Sequence, residues 1–140
     1  MKSFEEGQAY IADARIILSE AEESLGKGHF HRTVRKCQES VELALKGLLR
    51  TYGVEYPRRH VFAAVLRRSP VARFVDAKEL EAIIEIADGL AEEREVSFYG
   101  SGQARASQLF SEADARESIL HARRVLAFVE RVVPKPAEEG

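Results

Sequence analysis

The chain has no tryptophan, one cysteine, one methionine and four prolines in 140 residues. The single cysteine, Cys37, excludes an intrachain disulfide and a cysteine-built metal site. A lone thiol on a helical face is expected to pack as a small buried hydrophobe. No apolar run approaches the ~20 residues needed to span a bilayer. The opening MKSFEEGQAY is acidic and lacks an apolar stretch, so no signal peptide is expected and the chain reads as cytoplasmic. There is no G-x-x-x-x-G-K-[ST] loop, no G-x-G-x-x-G and no serine or cysteine nucleophile motif; Gly100-Ser101-Gly102 has no strand before it. Internal repeats and low-complexity tracts are missing too. No metal and no cofactor is implied.

What is present is ordinary globular material, 45% hydrophobic and 31% charged. The length predicts a single domain, residues 1–133, followed by a polar tail, 134–140. The net charge of −2 hides an uneven distribution. Residues 27–75 carry eleven basic and three acidic groups, between segments 1–26 and 76–100 that are strongly acidic. The basic band (Arg32, Arg35, Lys36, Arg50, Arg58, Arg59, Arg67, Arg68, Arg73) either tracks a nucleic-acid backbone or neutralises the acidic helices beside it. A pI near 6.1 argues against strong non-specific nucleic-acid binding.

Apolar residues recur at three-and-four spacing in four long segments. Helix 1 is expected from Phe4 to Leu25, with Tyr10, Ala14, Ile17, Leu18, Ala21 and Leu25 inward, and Gly26-Lys27-Gly28 as its stop. Helix 2 is expected from Phe30 to Tyr52, with Phe30, Val34, Cys37, Val41, Leu45, Leu48 and Leu49 inward, Glu42 and Lys46 as an i,i+4 pair, and Gly53 as its stop. Tyr56-Pro57 forces extended backbone. A short helix from His60 to Arg68 is closed by Ser69-Pro70. Helix 3 is expected from Asp76, as N-cap, to Glu95, with Leu80, Ile83, Ile84, Ala87, Leu90 and Ala91 inward. Val96 to Gln108 reads as a loop. Helix 4 is expected from Ser111 to Val133, with Ile119, Ala122, Leu126, Val129 and Val133 inward and Pro134 beyond. With no strand signal, the fold class is all-α: an up-and-down four-helix bundle with one extra short helix.

One stretch carries a family resemblance. Arg35, Gln38 and the run Val41-Glu42-Leu43-Ala44-Leu45-Lys46-Gly47-Leu48-Leu49, then Gly53, Tyr56-Pro57 and Arg59-His60, resemble the HEPN family (higher eukaryotes and prokaryotes nucleotide-binding). Support comes from the leading helix Ala9 to Leu25 and from Arg94 through Tyr99-Gly100. The resemblance covers roughly residues 5–133. It implies a bundle of four to five helices, a homodimer, and a nucleotidyltransferase-like partner in a toxin–antitoxin-like or nucleotide-modifying pair. Many members resemble metal-independent RNA endonucleases with an R-x4–6-H signature near the end of the third helix. Here Arg94 stands where that arginine is expected, and Tyr99 stands in place of the histidine. The other match, Arg116 to His121, lies inside helix 4.

The resemblance makes Arg94 and Tyr99 the first candidates for nucleotide or RNA binding, with Arg58, Arg59, His60 and Arg35 beside them. Arginine offers phosphate a planar fork, and a tyrosine ring offers a base a stacking surface. The plainer reading ties Arg94 to nearby acids and packs Tyr99 on the bundle end. His60 either meets a phosphate at the short helix or caps that helix. His29 and His31, two apart, do not share a helical face. Three functions remain open. The first is a nucleotide- or RNA-binding module. The second is an active ribonuclease in which a ribose 2′-OH attacks the adjacent phosphate, with Arg94 stabilising charge and His60 or His121 as acid and base; a neutral tyrosine is a poor base. The third is a structural dimer without ligand.

Overall fold

The computed structural model describes residues 2–56, 62–99 and 110–134, with side chains as far as Ala91 in the second segment. Among the described residues five α-helices follow one another: α1 (Lys2–Gly26), α2 (Phe30–Thr51), α3 (Phe62–Arg68), α4 (Ala77–Tyr99) and α5 (Glu112–Val132), with a 3-10 turn (Pro70–Arg73) between α3 and α4. No strand occurs among the described residues. None of these helices is long and apolar enough to cross a membrane, among the described residues.

The two glycine stops work alike. Gly28 and Gly53 take positive φ (76° and 73°). At the first, the His29 amide donates to the Ser24 carbonyl (2.9 Å) and the Gly28 amide to the Leu25 carbonyl (3.0 Å). At the second, Val54 donates to Leu49 and Gly53 to Arg50, both at 2.9 Å. Each is a left-handed glycine cap that uses up carbonyls the helix leaves open. The α1–α2 link is therefore short, and the two helices run antiparallel.

α2 lies at the centre, packed against α1, α4 and α5. Its core face carries Val34, Val41, Leu45, Leu48 and Leu49, all buried. A second face carries Thr33, Cys37, Ser40, Ala44, Gly47 and Thr51, also buried, at alternating four-and-three spacing. Every residue of that second face is small, and α1 answers with Gly7, Ile11, Ala14 and Ala21. Small side chains let the two backbones close. The Ser40 hydroxyl donates to the Ala14 carbonyl across the seam (2.7 Å). At Gly7 and Gly47 the approach is tightest: a β-carbon on Gly7 would lie 2.5 Å from the Gly47 carbonyl oxygen. The expected inward stripe of α1 is thus displaced. Ala14 and Ala21 are buried as expected and are joined by Gly7 and Ile11, whereas Tyr10, Ile17, Leu18 and Leu25 are half-buried.

The core stripes of the last two long helices are as expected except at their ends, where Ala91 and Val133 are half-buried. Leu80, Ile83, Ile84, Ala87 and Leu90 of α4 and Ile119, Ala122, Leu126 and Val129 of α5 are buried. α4 begins one residue after Asp76, whose carbonyl accepts from the Leu80 amide (3.0 Å). Its end differs from the expectation: the helix continues through Val96, Ser97 and Phe98 to Tyr99, where a loop from Val96 was expected. These residues are weak helix formers, but each costs only a few tenths of a kcal/mol. Propagation is cooperative, and no glycine or proline intervenes before Gly100. α5 starts with a capping box: Ser111 accepts from the Asp114 amide and Asp114 accepts from the Ser111 amide.

Candidate functional site

α2 enters the bundle at His29, which precedes the helix and offers no side-chain cap. The His29 carbonyl accepts from both the Thr33 amide (3.0 Å) and the Thr33 hydroxyl (2.9 Å). His31, Arg35 and Gln38 then fall at i, i+4 and i+7, on one side of the helix over about 10 Å of its length. The His31 ring stacks on Phe110, just before α5, with centroids 6.4 Å apart. Its Nε2 is buried and has no hydrogen-bond partner. Gln38 is 5% exposed. Neither its amide oxygen nor its amide nitrogen has a partner. A buried amide left unpaired costs about 1–3 kcal/mol, and native proteins carry few of them. Three buried polar atoms on one side of α2 thus lack a protein partner, which makes this region the candidate site.

The other expected residues are distributed as follows. Arg35 is exposed, one turn from both His31 and Gln38. Arg94 and Tyr99 both belong to the last turns of α4, their side chains outside the described residues. Because the helix is continuous there, the two positions are separated by about 140° around its axis and do not share a face. Arg58, Arg59 and His60 lie outside the described residues. Arg116 and His121 are likewise five apart on a continuous helix and point to different sides. Arg116 pairs with Glu112 (3.7 Å) and His121 with Glu117 (3.8 Å). His121 lines an open cleft of about 480 Å³ between α4 and α5, with Glu85, Gly89 and Arg124. Among the described residues no group of His, Cys, Asp and Glu is arranged to hold a metal ion.

The basic band is partly neutralised. Lys36 pairs with Glu20 (3.5 Å), Arg50 with Glu6, and Arg67 holds Glu81 with two hydrogen bonds of 2.6 and 2.9 Å. The Arg67 guanidinium keeps the Glu81 carboxyl below the ordinary carboxylate range. Glu6 raises the already high pKa of Arg50. Lys46 pairs with Glu42 (3.2 Å), as their spacing predicts. Arg32, Arg68 and Arg73 have no ion pair among the described residues. At the opposite end of α2, the Tyr52 hydroxyl donates to the Val132 carbonyl (2.7 Å) and its ring stacks on the exposed Phe74. Burial pushes the Tyr52 phenol up from 10.0.

The HEPN domain profile matches residues 8–132. The chain belongs to the HEPN domain family. The solved structures agree. TT1696 from Thermus thermophilus is 26% identical, with a TM-score of 0.75 over 90% of this chain and 97% of its own. ST0689, described as an archaeal HEPN homologue, is also 26% identical, with a TM-score of 0.70 over 91% and 98%. No curated protein matches the chain. Within this HEPN domain, two residues of the candidate site are not among the site residues that the sequence pattern singles out, His31 and the more deeply buried Gln38. The signal for Gln38 was a polar residue in register with Val34, Val41 and Leu45, on a helix whose other buried positions are apolar or small.

Proposed function

We propose that this HEPN domain binds a nucleotide or RNA through the first turns of α2, and acts as a homodimer with a nucleotidyltransferase-like partner. The observation that carries the reading is the Gln38 amide, buried without a hydrogen-bond partner. Such a group raises the free energy of the empty protein, and a ligand that reaches it as the first turns of α2 open recovers the lost bonds. A glutamine amide matches the donor–acceptor edge of a nucleobase, and Arg35 one turn away suits a phosphate. The family pattern adds Arg94 and Tyr99, on the last turns of α4, as further candidate contacts.

The test uses fluorescence anisotropy with labelled nucleotides and a short single-stranded RNA at low salt. Wild-type protein gives saturable binding. Gln38→Met keeps the volume and removes the amide; it abolishes binding while raising stability by about 1 kcal/mol. Arg94→Ala weakens binding. If Gln38→Met binds like the wild type, this site is wrong. The same samples incubated with RNA in EDTA test the ribonuclease alternative, which requires cleavage that Arg94→Ala removes.

A further inference from the structure

α5 has three sides that differ in what they meet. One side is buried. A second is tied to α1, where Arg123 pairs with Glu22 (2.9 Å) and Arg15 with Glu130. The outward side carries Ala113, Glu117, Leu120, Arg124 and Ala127, at alternating four-and-three spacing, all of them exposed. Leu120 is 63% exposed, one of three large apolar side chains so placed among the described residues. Arg124 also differs from the other arginines of its helix. Arg116, Arg123 and Arg131 each hold a carboxylate of the same subunit, and Arg124 holds none among the described residues. Glu117 is largely solvent-exposed, its one ion-pair partner among the described residues being His121 (3.8 Å).

These residues have a symmetry that a single copy does not use. Glu117 and Arg124 lie equally far, about 5 Å along the axis, on either side of the Leu120–His121 peptide. An antiparallel second α5, related by a two-fold axis through that point, sets Glu117 of each copy opposite Arg124 of the other and brings the two Leu120 side chains to the centre. Ala113 and Ala127 at the flanks leave room for the helices to approach. The cleft beside this ridge, open at Gly89 where a β-carbon would meet nothing within 4 Å, admits side chains of the second copy.

We infer that the outward ridge of α5 is the homodimer interface, an isologous contact centred on Leu120 and locked by two reciprocal Glu117–Arg124 pairs. The inference rests on the homodimer of the proposed function and supplies its surface.

The test is charge exchange at these exposed positions, read by analytical ultracentrifugation of the full chain. Glu117→Arg places an arginine of each copy opposite Arg124 of the other, and Arg124→Glu places acids opposite acids. Each single variant is expected to weaken dimerisation at least about tenfold. Mixing the two variants restores complementary contacts and yields a heterodimer, and the double variant E117R/R124E restores the homodimer. A wild-type dimer whose single variants dimerise equally well overturns this surface and leaves the homodimer standing. A wild-type protein that is monomeric at every concentration overturns both.

Discussion

Gly7→Ala is a substitution whose sign can be worked out from the seam between α1 and α2. In an open helix, alanine for glycine is favourable by about 1 kcal/mol, because the unfolded chain loses less backbone freedom on folding. At Gly7 the new methyl would lie 2.5 Å from the Gly47 carbonyl oxygen, 2.6 Å from the Thr51 methyl and 2.8 Å from the Thr51 amide nitrogen. Two of these three atoms are backbone, so no rotamer change relieves the contact and the helices must separate. Overpacking of this kind costs about 1–3 kcal/mol, and more where backbone must move. The propensity gain is overwhelmed, and a net loss of about 1–2 kcal/mol is expected, lowering Tm by roughly 3–8 °C. Gly47→Ala meets the Gly7 carbonyl at 2.7 Å and has the same sign. The double variant loses less than the sum, since a seam already opened by one methyl accommodates the second. Gly89→Ala is the control. It is also a helical glycine, its β-carbon meets nothing within 4 Å, and it gains about 0.5–1 kcal/mol. Urea titration of the three single variants decides the matter. Equal stabilisation at positions 7 and 89 would refute the backbone-to-backbone seam.

Ser40→Ala removes the hydroxyl that bridges to the Ala14 carbonyl, and a loss of about 1 kcal/mol is expected in the same titration. Tyr52→Phe loses the bond to Val132, about 0.5–1.5 kcal/mol at neutral pH. Because the folded phenol titrates above its unfolded value, this advantage is full below the unfolded pKa. It fades as pH rises through the folded one, so wild type and Tyr52→Phe converge in alkaline denaturation. Glu81 behaves oppositely. Its carboxyl is depressed by Arg67, so its contribution is present at neutral pH and vanishes as pH falls through the lowered value. Comparison with Glu81→Gln across the acid range shows a small difference at neutral pH that closes in acid, since the pair is exposed.

The helices were legible because their apolar periodicity is strong and their glycine stops sit where left-handed caps form. Legibility failed where size mattered more than polarity. Gly7 and Ser40 belong to no apolar stripe, yet both lie in the seam where α1 and α2 touch, because a contact between backbones selects for small side chains and disregards hydrophobicity. The end of α4 departs from the sequence pattern for a different reason: Val96 and Ser97 lower local propensity, but a helix already formed continues through them at small cost. The family pattern points to Arg94, Tyr99 and the Arg58–His60 turn, whereas the unpaired buried groups of the candidate site lie at His31 and Gln38. Gln38 could not be recognised from composition, since glutamine is usually exposed and its burial depends on where α1, α4 and α5 settle around α2.

The seam also makes the protein its own opening gauge. Cys37 sits within it at 0% exposure and is the only thiol in the chain. A thiol reagent therefore reacts only during excursions in which α1 lifts from α2 or the whole domain unfolds, and the labelling rate under native conditions measures how often they occur. No engineered probe is needed. Run beside urea denaturation, the rate separates departure of α1 alone from global unfolding. If the first turns of α2 reorganise around a ligand, the same cysteine reports whether the seam beneath them stays shut.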